Sequence, residues 1–439
     1  MKKITGRSAF LSILQSEGVT HLFGNPGTTE LPIMHALKEY PDIKYILGLQ
    51  EAIVVAMADG YSRATGKLSA CNVHVAPGLG NAMGAIYNAK FVGSPIIITA
   101  GQQEQGHGLM EPMLYGPLVR MAEPLVKWAT EVNRLEDLPR IMRRAAKIAL
   151  SPPTGPVFIS LPGDILNKEA KIDLGKSTRV IDTYRPSHNS IELIAKKLSK
   201  YKKPVIIAGH EVATSDAFRE ITMFAEYTGS AVYQQTVPHG SHYPSEHMAF
   251  MGTLPRLQKP TKNILENYDI LICVGCDGLR MSVWSDTEPL PSKMPIIHIG
   301  INEWEIGKNY STELAIIGNV KNTLNDINQY LKNTLTPEET IKAKKRLELI
   351  AKNNWNIKKK SLTAKTMHDK LKKPITPNWL MMNIANNITK NNIVVEEGLV
   401  STRTLLNYLP YKNNKDFYGL ASGGIGWAVS GAIGVSLAN

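Results

Sequence analysis

Short apolar runs at residues 19–23, 43–49, 70–75, 95–100 and 157–161 alternate with stretches of helical period along the first 175 residues. Runs of this length, rich in Ile, Val and Phe and bounded by Gly, Pro and Asn, predict strands. The first ends in the turn Gly24-Asn25-Pro26-Gly27, and Thr28 or Thr29 can cap a helix over 30–40. The second runs straight into a helix from 50 to about 65. The third leads through Gly78-Leu79-Gly80 into a small-residue helix over 81–91. The same plan recurs from about 190 to 331, with strands at 204–208, 231–234, 270–274 and 295–299. Thr336-Pro337-Glu338-Glu339 then forms a capping box with Pro at the first helical position. A third unit shows a helix at 379–388, a strand at 393–396, another helix, and Gly423-Gly424-Ile425-Gly426 opening a last helix to 437. One strand with three helices cannot cover both faces of a sheet, so this unit reads as unfinished. The pattern predicts an α/β protein of doubly wound parallel sheets. Its domains are expected at 1–175, 190–331 and 376–439, with a basic helix and linker at 332–375.

Composition narrows the function classes. A chain of 439 residues suits three domains of about 150 residues each. No apolar run reaches the roughly 18 residues of a membrane span. The first twenty residues lack the apolar core and cleavage site of a secretory signal. Three cysteines suit a reducing compartment, and a cytoplasmic location is expected. The net charge of +12 invites a nucleic-acid reading. However, 12 basic residues against 2 acidic ones fall between Lys342 and Lys373, and no aromatic interleaving accompanies them. A solvated basic helix accounts for that excess, and neither nucleic-acid nor membrane partners are expected.

The chemistry-bearing residues collect at the carboxyl ends of the early strands. Ligands of doubly wound sheets bind there. Glu51 ends one strand and opens an apolar helix, where the helix N-terminus stabilises a carboxylate. Taken singly it reads more readily as a helix cap than as a catalytic group. Gly24-Asn25-Pro26-Gly27 and the stretch from His74 to Gly80 share the same rim, which turns the cap into a candidate site. His74 is then a candidate acid/base group. Gly78-x-Gly80-x-x-x-Gly84 looks like a dinucleotide fingerprint, but no ribose-binding acid follows the next strand, so close helix–sheet packing explains the glycines better. Cys273 and Cys276 form a lone C-x-x-C, which predicts buried structural cysteines rather than zinc. His239, His242 and His247 share a loop whose spacing matches no common zinc pattern, and a surface loop is expected there.

The rim also carries a family resemblance. Phe23-Gly24-Asn25-Pro26-Gly27, Leu49-Gln50-Glu51-Ala52 with Ala58-Asp59-Gly60-Tyr61, and Gly78-Leu79-Gly80-Asn81-Ala82-Met83-Gly84 resemble the thiamine-diphosphate decarboxylases and acetolactate-synthase-like enzymes. The strongest likeness is to benzoylformate decarboxylases, and it runs over the whole chain. It implies a cytoplasmic homodimer or homotetramer acting on a small 2-oxo acid, by non-oxidative decarboxylation as a carbon–carbon lyase or by carboligation. The cofactors implied are thiamine diphosphate and Mg²⁺. The first domain would bind the pyrimidine end and the third the diphosphate. Glu51 would hydrogen-bond the aminopyrimidine and activate the cofactor, and Asn25, Pro26 and Thr28 match the first active-site loop. His74 matches a histidine facing the reacting carbon. Gly423 matches the residue whose carbonyl takes the cofactor's amino group, and Ile425 the residue that bends the cofactor.

Two departures shape the expectation. Where benzoylformate decarboxylases place a second active-site histidine, Leu279-Arg280-Met281-Ser282-Val283 puts Ser282. An Asp-Asp-Arg pattern that accompanies FAD in some relatives is also missing, so FAD is not expected. The family's Gly-Asp-Gly and downstream Asn pair, which hold diphosphate and Mg²⁺, do not occur in these 439 residues. No metal ligand is therefore assigned within the chain, which is expected to be C-terminally truncated and inactive by itself. A split enzyme completed by another chain and a non-catalytic relative are the alternatives.

Overall fold

The computed structural model describes residues 3–181 and 184–439, which form two compact units. The first comprises Met1–Ile181 together with Leu420–Asn439, and the second Asp182–Gly419.

The first unit is built on six parallel strands, β1 (His21–Gly24), β2 (Lys44–Leu47), β3 (Ser69–Val73), β4 (Ile96–Gln102), β5 (Ala129–Glu131) and β6 (Val157–Pro162). Their spatial order is β2-β1-β3-β4-β6-β5. Every residue of β3, β4 and β6 is buried, as expected of strands covered on both faces, whereas the edge strand β2 is half exposed. Helices Gly6–Ser16 and Leu138–Leu150 cover one face through Phe10, Leu14, Met142 and Ala146. Helices Glu51–Thr65 and Val75–Val92 cover the other through Val54, Val55, Leu79 and Ile86. The helix expected over 30–40 is broken into a 3₁₀ turn, a short α-helix over Leu31–Ala36 and a second 3₁₀ turn.

The second unit repeats the plan with β7 (Pro204–Ala208), β8 (Ala231–Gln234), β9 (Phe250–Thr253), β10 (Ile270–Val274), β11 (Ile296–Gly300) and β12 (Leu314–Ile317), in the order β9-β8-β7-β10-β11-β12. The edge strands β9 and β12 were not among the expected strands; β9 is interrupted by Gly252 and ends in Thr253, and β12 is a run of only four residues. The capping box at Thr336 forms as expected: the Glu339 amide donates to Thr336 Oγ1 at 3.2 Å, and the Thr336 amide to Glu339 Oε2 at 2.8 Å. Two helices follow, Pro337–Ala351 and Trp355–Thr366, and Trp355 is buried with its indole N–H on the Leu406 carbonyl at 3.1 Å. A parallel pair, β13 (Val394–Glu396) and β14 (Phe417–Gly419), closes the unit over Met381, Met382, Leu405 and Tyr408.

Candidate active site

In the first sheet β1 lies between β2 and β3, so the chain reverses its direction of travel between β1 and β3. At such a switch point the loops leaving the two strands part and open a crevice at their carboxyl ends. The loop after β1 carries Asn25, Pro26 and Gly27, and the residue after β3 is His74. Glu51 follows β2 as the first residue of its helix, capped by Gln50, whose Oε1 accepts the Ala52 amide at 2.7 Å.

Glu51 is buried, at 5% exposure, and two amides hold it. Asn25 Nδ2 donates to Oε1 at 3.0 Å, and Asn81 Nδ2 donates to Oε2 at 3.0 Å. Gly78 permits this approach: a Cβ there would stand 2.9 Å from Glu51 Oε1. The result is a buried carboxylate held by two neutral donors, with no cation in hydrogen-bonding contact among the described residues.

His74 is ordered by a second network. Its Nδ1 lies 2.7 Å from Glu30 Oε2, and Thr29 Oγ1 lies 3.3 Å from the same nitrogen. A carboxylate oxygen accepts, so the contact places the proton on Nδ1 and turns a lone pair to Nε2. Glu30 is fully buried, and it also takes the amides of Gly27 and Gly101, each at 2.8 Å, and the Thr29 hydroxyl at 2.7 Å. Gly27 and Gly101 are obligatory, since a Cβ on either would overlap His74 or Glu30. Val75, directly after His74, sits in the left-handed region at φ 44°. For a β-branched residue that strain costs about 1–3 kcal/mol, and strain of this kind collects at functional sites.

The structure thus brings together Asn25, Glu51 and His74, with Pro26 and the exposed Thr28 on the adjoining loop. Gly423 and Ile425 belong to the same unit, in the turn before the terminal helix Trp427–Leu437. Gly423 and Gly426 take positive φ, and Ile425 is 71% exposed. Ser282 is exposed in the second unit, its amide on the Arg256 carbonyl at 3.3 Å. Sequence reasoning missed Glu30 and the role of Asn81. Glu30 had a signal, a Glu three residues beyond the Gly27 turn whose carboxylate can reach back to its amide. The helix expected to begin at 81 begins at Val75, and this is what sets Asn81 above Glu51.

Asp59, from the tyrosine-containing motif after Glu51, does structural work. It accepts from Asn88 Nδ2 at 2.8 Å, from Trp427 Nε1 at 2.7 Å and from the Ser94 hydroxyl. Burial pushes its carboxyl above the usual range, against the pull of Arg63 and of these donors.

Comparison with known proteins agrees with this geometry. The family profile "Thiamine pyrophosphate enzyme, N-terminal TPP binding domain" matches residues 4–113, and "Thiamine pyrophosphate enzyme, central domain" matches residues 191–327. The chain is 28% identical to benzoylformate decarboxylase of Pseudomonas aeruginosa over 99% of its own length and 78% of that protein. It is 27% identical to the acetolactate synthase large subunit of Buchnera aphidicola over 100% of its length and 76% of that protein. Among solved structures, the thiamine diphosphate-dependent 4-hydroxybenzoylformate decarboxylase of Rhodococcus jostii RHA1 superposes with a TM-score of 0.83 at 26% identity, covering 99% of this chain and 79% of that one. The chain belongs to the thiamine pyrophosphate enzymes. Its N-terminal and central domains carry the family's parallel α/β fold, as the sequence pattern predicted.

Among the described residues, no helix is long and apolar enough to cross a membrane.

Proposed function

We propose that this chain serves the decarboxylation or carboligation of a small 2-oxo acid with thiamine diphosphate, and that Glu51 is the group that activates the cofactor. The observation that carries this reading is the buried Glu51 carboxylate, held by Asn25 and Asn81 against Gly78 at the switch point of the sheet. Its setting fits the pyrimidine end of the cofactor. A carboxyl group can exchange a proton with a ring nitrogen within hydrogen-bonding reach. The diphosphate and Mg²⁺ have no counterpart set, since no Gly-Asp-Gly with a following Asn pair occurs in these residues, and none is assigned to them.

Bound thiamine diphosphate supplies a carbon nucleophile and an electron sink for the departing carboxylate. The chain's own residues do the rest. Glu51 would hold the aminopyrimidine end and exchange a proton with it. Asn25 and Asn81 fix which way its two oxygens face. His74, with its proton pinned on Nδ1 by Glu30, presents Nε2 for proton transfer near the reacting carbon. Pro26 and Thr28 border the cofactor and the substrate. Gly423 and Ile425, in the turn before the terminal helix, would help hold the aminopyrimidine end. The site is completed in a homodimer or homotetramer.

The test is the rate of hydrogen–deuterium exchange at the cofactor's C2, with carbon dioxide release from aryl, branched and carboxylated 2-oxo acids measured alongside. Glu51→Gln is expected to slow exchange by about 100-fold or more, the scale of a lost acid/base group. Wild-type exchange in that variant would remove Glu51 from the role. Carbon dioxide release with a 2-hydroxy ketone rather than an aldehyde as the product would favour carboligation, and absence of carbon dioxide release across the panel would count against both.

A further inference from the structure

The second unit contains a histidine cluster that the proposed function does not use. The loop expected at the surface is buried: His239 is 3% exposed and His242 is not exposed at all. His210 joins them as the first residue of the short helix His210–Thr214, directly after β7 and Gly209. One ring nitrogen from each of the three lies within 4.8 Å of the others. The ring centroids of His210 and His239 are 4.3 Å apart, and those of His239 and His242 are 5.5 Å apart. We propose that His210, His239 and His242 form a binding site for a divalent transition-metal ion, Zn²⁺ in the first instance.

Three features support a built site. The first is its place. The order β9-β8-β7-β10-β11-β12 has its switch point between β7 and β10, and His210 leaves β7 there. Gly209 meets the Cys276 loop so closely that a Cβ on it would overlap Cys276. The second is the outer support of the imidazoles. The Val237 carbonyl lies 3.3 Å from His239 Nδ1, an acceptor that holds the proton there and directs a lone pair to Nε2. The Gln235 amide nitrogen donates to the same Val237 carbonyl at 3.2 Å and so fixes that acceptor. His242 is fixed by its backbone, whose amide donates to Gln234 Oε1 at 2.8 Å. The third is ligand chemistry. Three neutral imidazoles without a carboxylate suit Zn²⁺, Co²⁺, Ni²⁺ or Cu²⁺ and disfavour Mg²⁺ or Ca²⁺, which take oxygen.

Zn–N bonds of about 2.0–2.1 Å in a tetrahedral site place ligand nitrogens roughly 3.3 Å apart, so closure needs ring movements on the order of 1 Å. Three protein ligands leave a fourth position for water or a small anion. The ion would also tie the loop after β8 to β7. That loop already holds β14, because the Gly419 amide donates to the His239 carbonyl at 3.1 Å and Gly240 bridges Tyr418.

The experiment uses the whole chain, stripped with a chelator and titrated with Zn²⁺ by calorimetry and elemental analysis. One Zn²⁺ per chain is expected, with Kd of about 1 µM or tighter, and the melting temperature should rise with Zn²⁺. His210 is only half-buried, so His210→Ala carries the least folding risk. It should weaken binding by at least about ten-fold and abolish the rise in melting temperature. Co²⁺ on the wild-type chain provides a readout that needs no variant: a four-coordinate visible spectrum supports the site. A six-coordinate spectrum, sub-stoichiometric Zn²⁺, or unchanged affinity in His210→Ala would overturn it.

Discussion

Two buried glutamates at the rim differ in the kind of donor that holds them. Glu51 is held by two side-chain amides, Asn25 and Asn81, which can rotate to offer oxygen instead of nitrogen. Glu30 is held by the backbone amides of Gly27 and Gly101, which cannot. Replacing a carboxylate oxygen by an amide group therefore costs more at Glu30, where donor faces donor. Glu30→Gln is expected to lose about 1–3 kcal/mol of stability in urea unfolding, and Glu51→Gln distinctly less. Equal losses in the two variants would contradict this. The two residues also differed in legibility. Glu51 stood out because a lone acid opens an apolar helix after a strand. Glu30 stood among polar turn residues, and only the fold shows that its carboxylate reaches across β3 and β4 to His74 and Gly101.

At the scale of elements, the terminal helix Trp427–Leu437 is apolar on every side, so its sequence gave no direction for its packing. Its glycines decide the matter. A Cβ on Gly434 would overlap the Met57 carbonyl, and one on Gly60 would overlap the Gly431 carbonyl, so this helix and the Glu51 helix meet backbone to backbone. Trp427 adds a hydrogen bond to buried Asp59. Gly434→Ala would force the helices apart, and a loss of about 1–3 kcal/mol is expected by thermal or chemical unfolding. An unchanged transition would mean that the two helices do not meet in solution as they do here. The motif Ala58-Asp59-Gly60-Tyr61 was visible from the start, but Trp427, 368 residues beyond Asp59, was not legible as its partner.

On the scale of the whole molecule, the first unit is discontinuous, since Leu420–Asn439 folds with Met1–Ile181. Removing residues 420–439 should therefore damage the first unit selectively. Amides of the Glu51 helix are expected to lose protection in hydrogen exchange, while those of β7, β10 and β11 keep theirs. Uniform loss across both sheets would indicate a single cooperative unit instead. The basic excess between Lys342 and Lys373 lies on and around two helices anchored by Trp355, so it has a structural setting without any anionic partner.

The sequence by itself determined the α/β class, the central strands and the rim that holds Glu51 and His74. These rest on local properties: continuous apolar runs, turn residues and the position of a single acid after a strand. The edge strand β2 was legible, whereas the short edge strands β5, β9 and β12 were not. Only the tertiary structure decided what Glu51 and His74 touch, which element the last helix covers, and that a loop of apparent surface character brings His239 and His242 to His210. Each of those is a meeting of residues far apart in the chain, and parallel strand pairing, rather than any local pattern, brings them together.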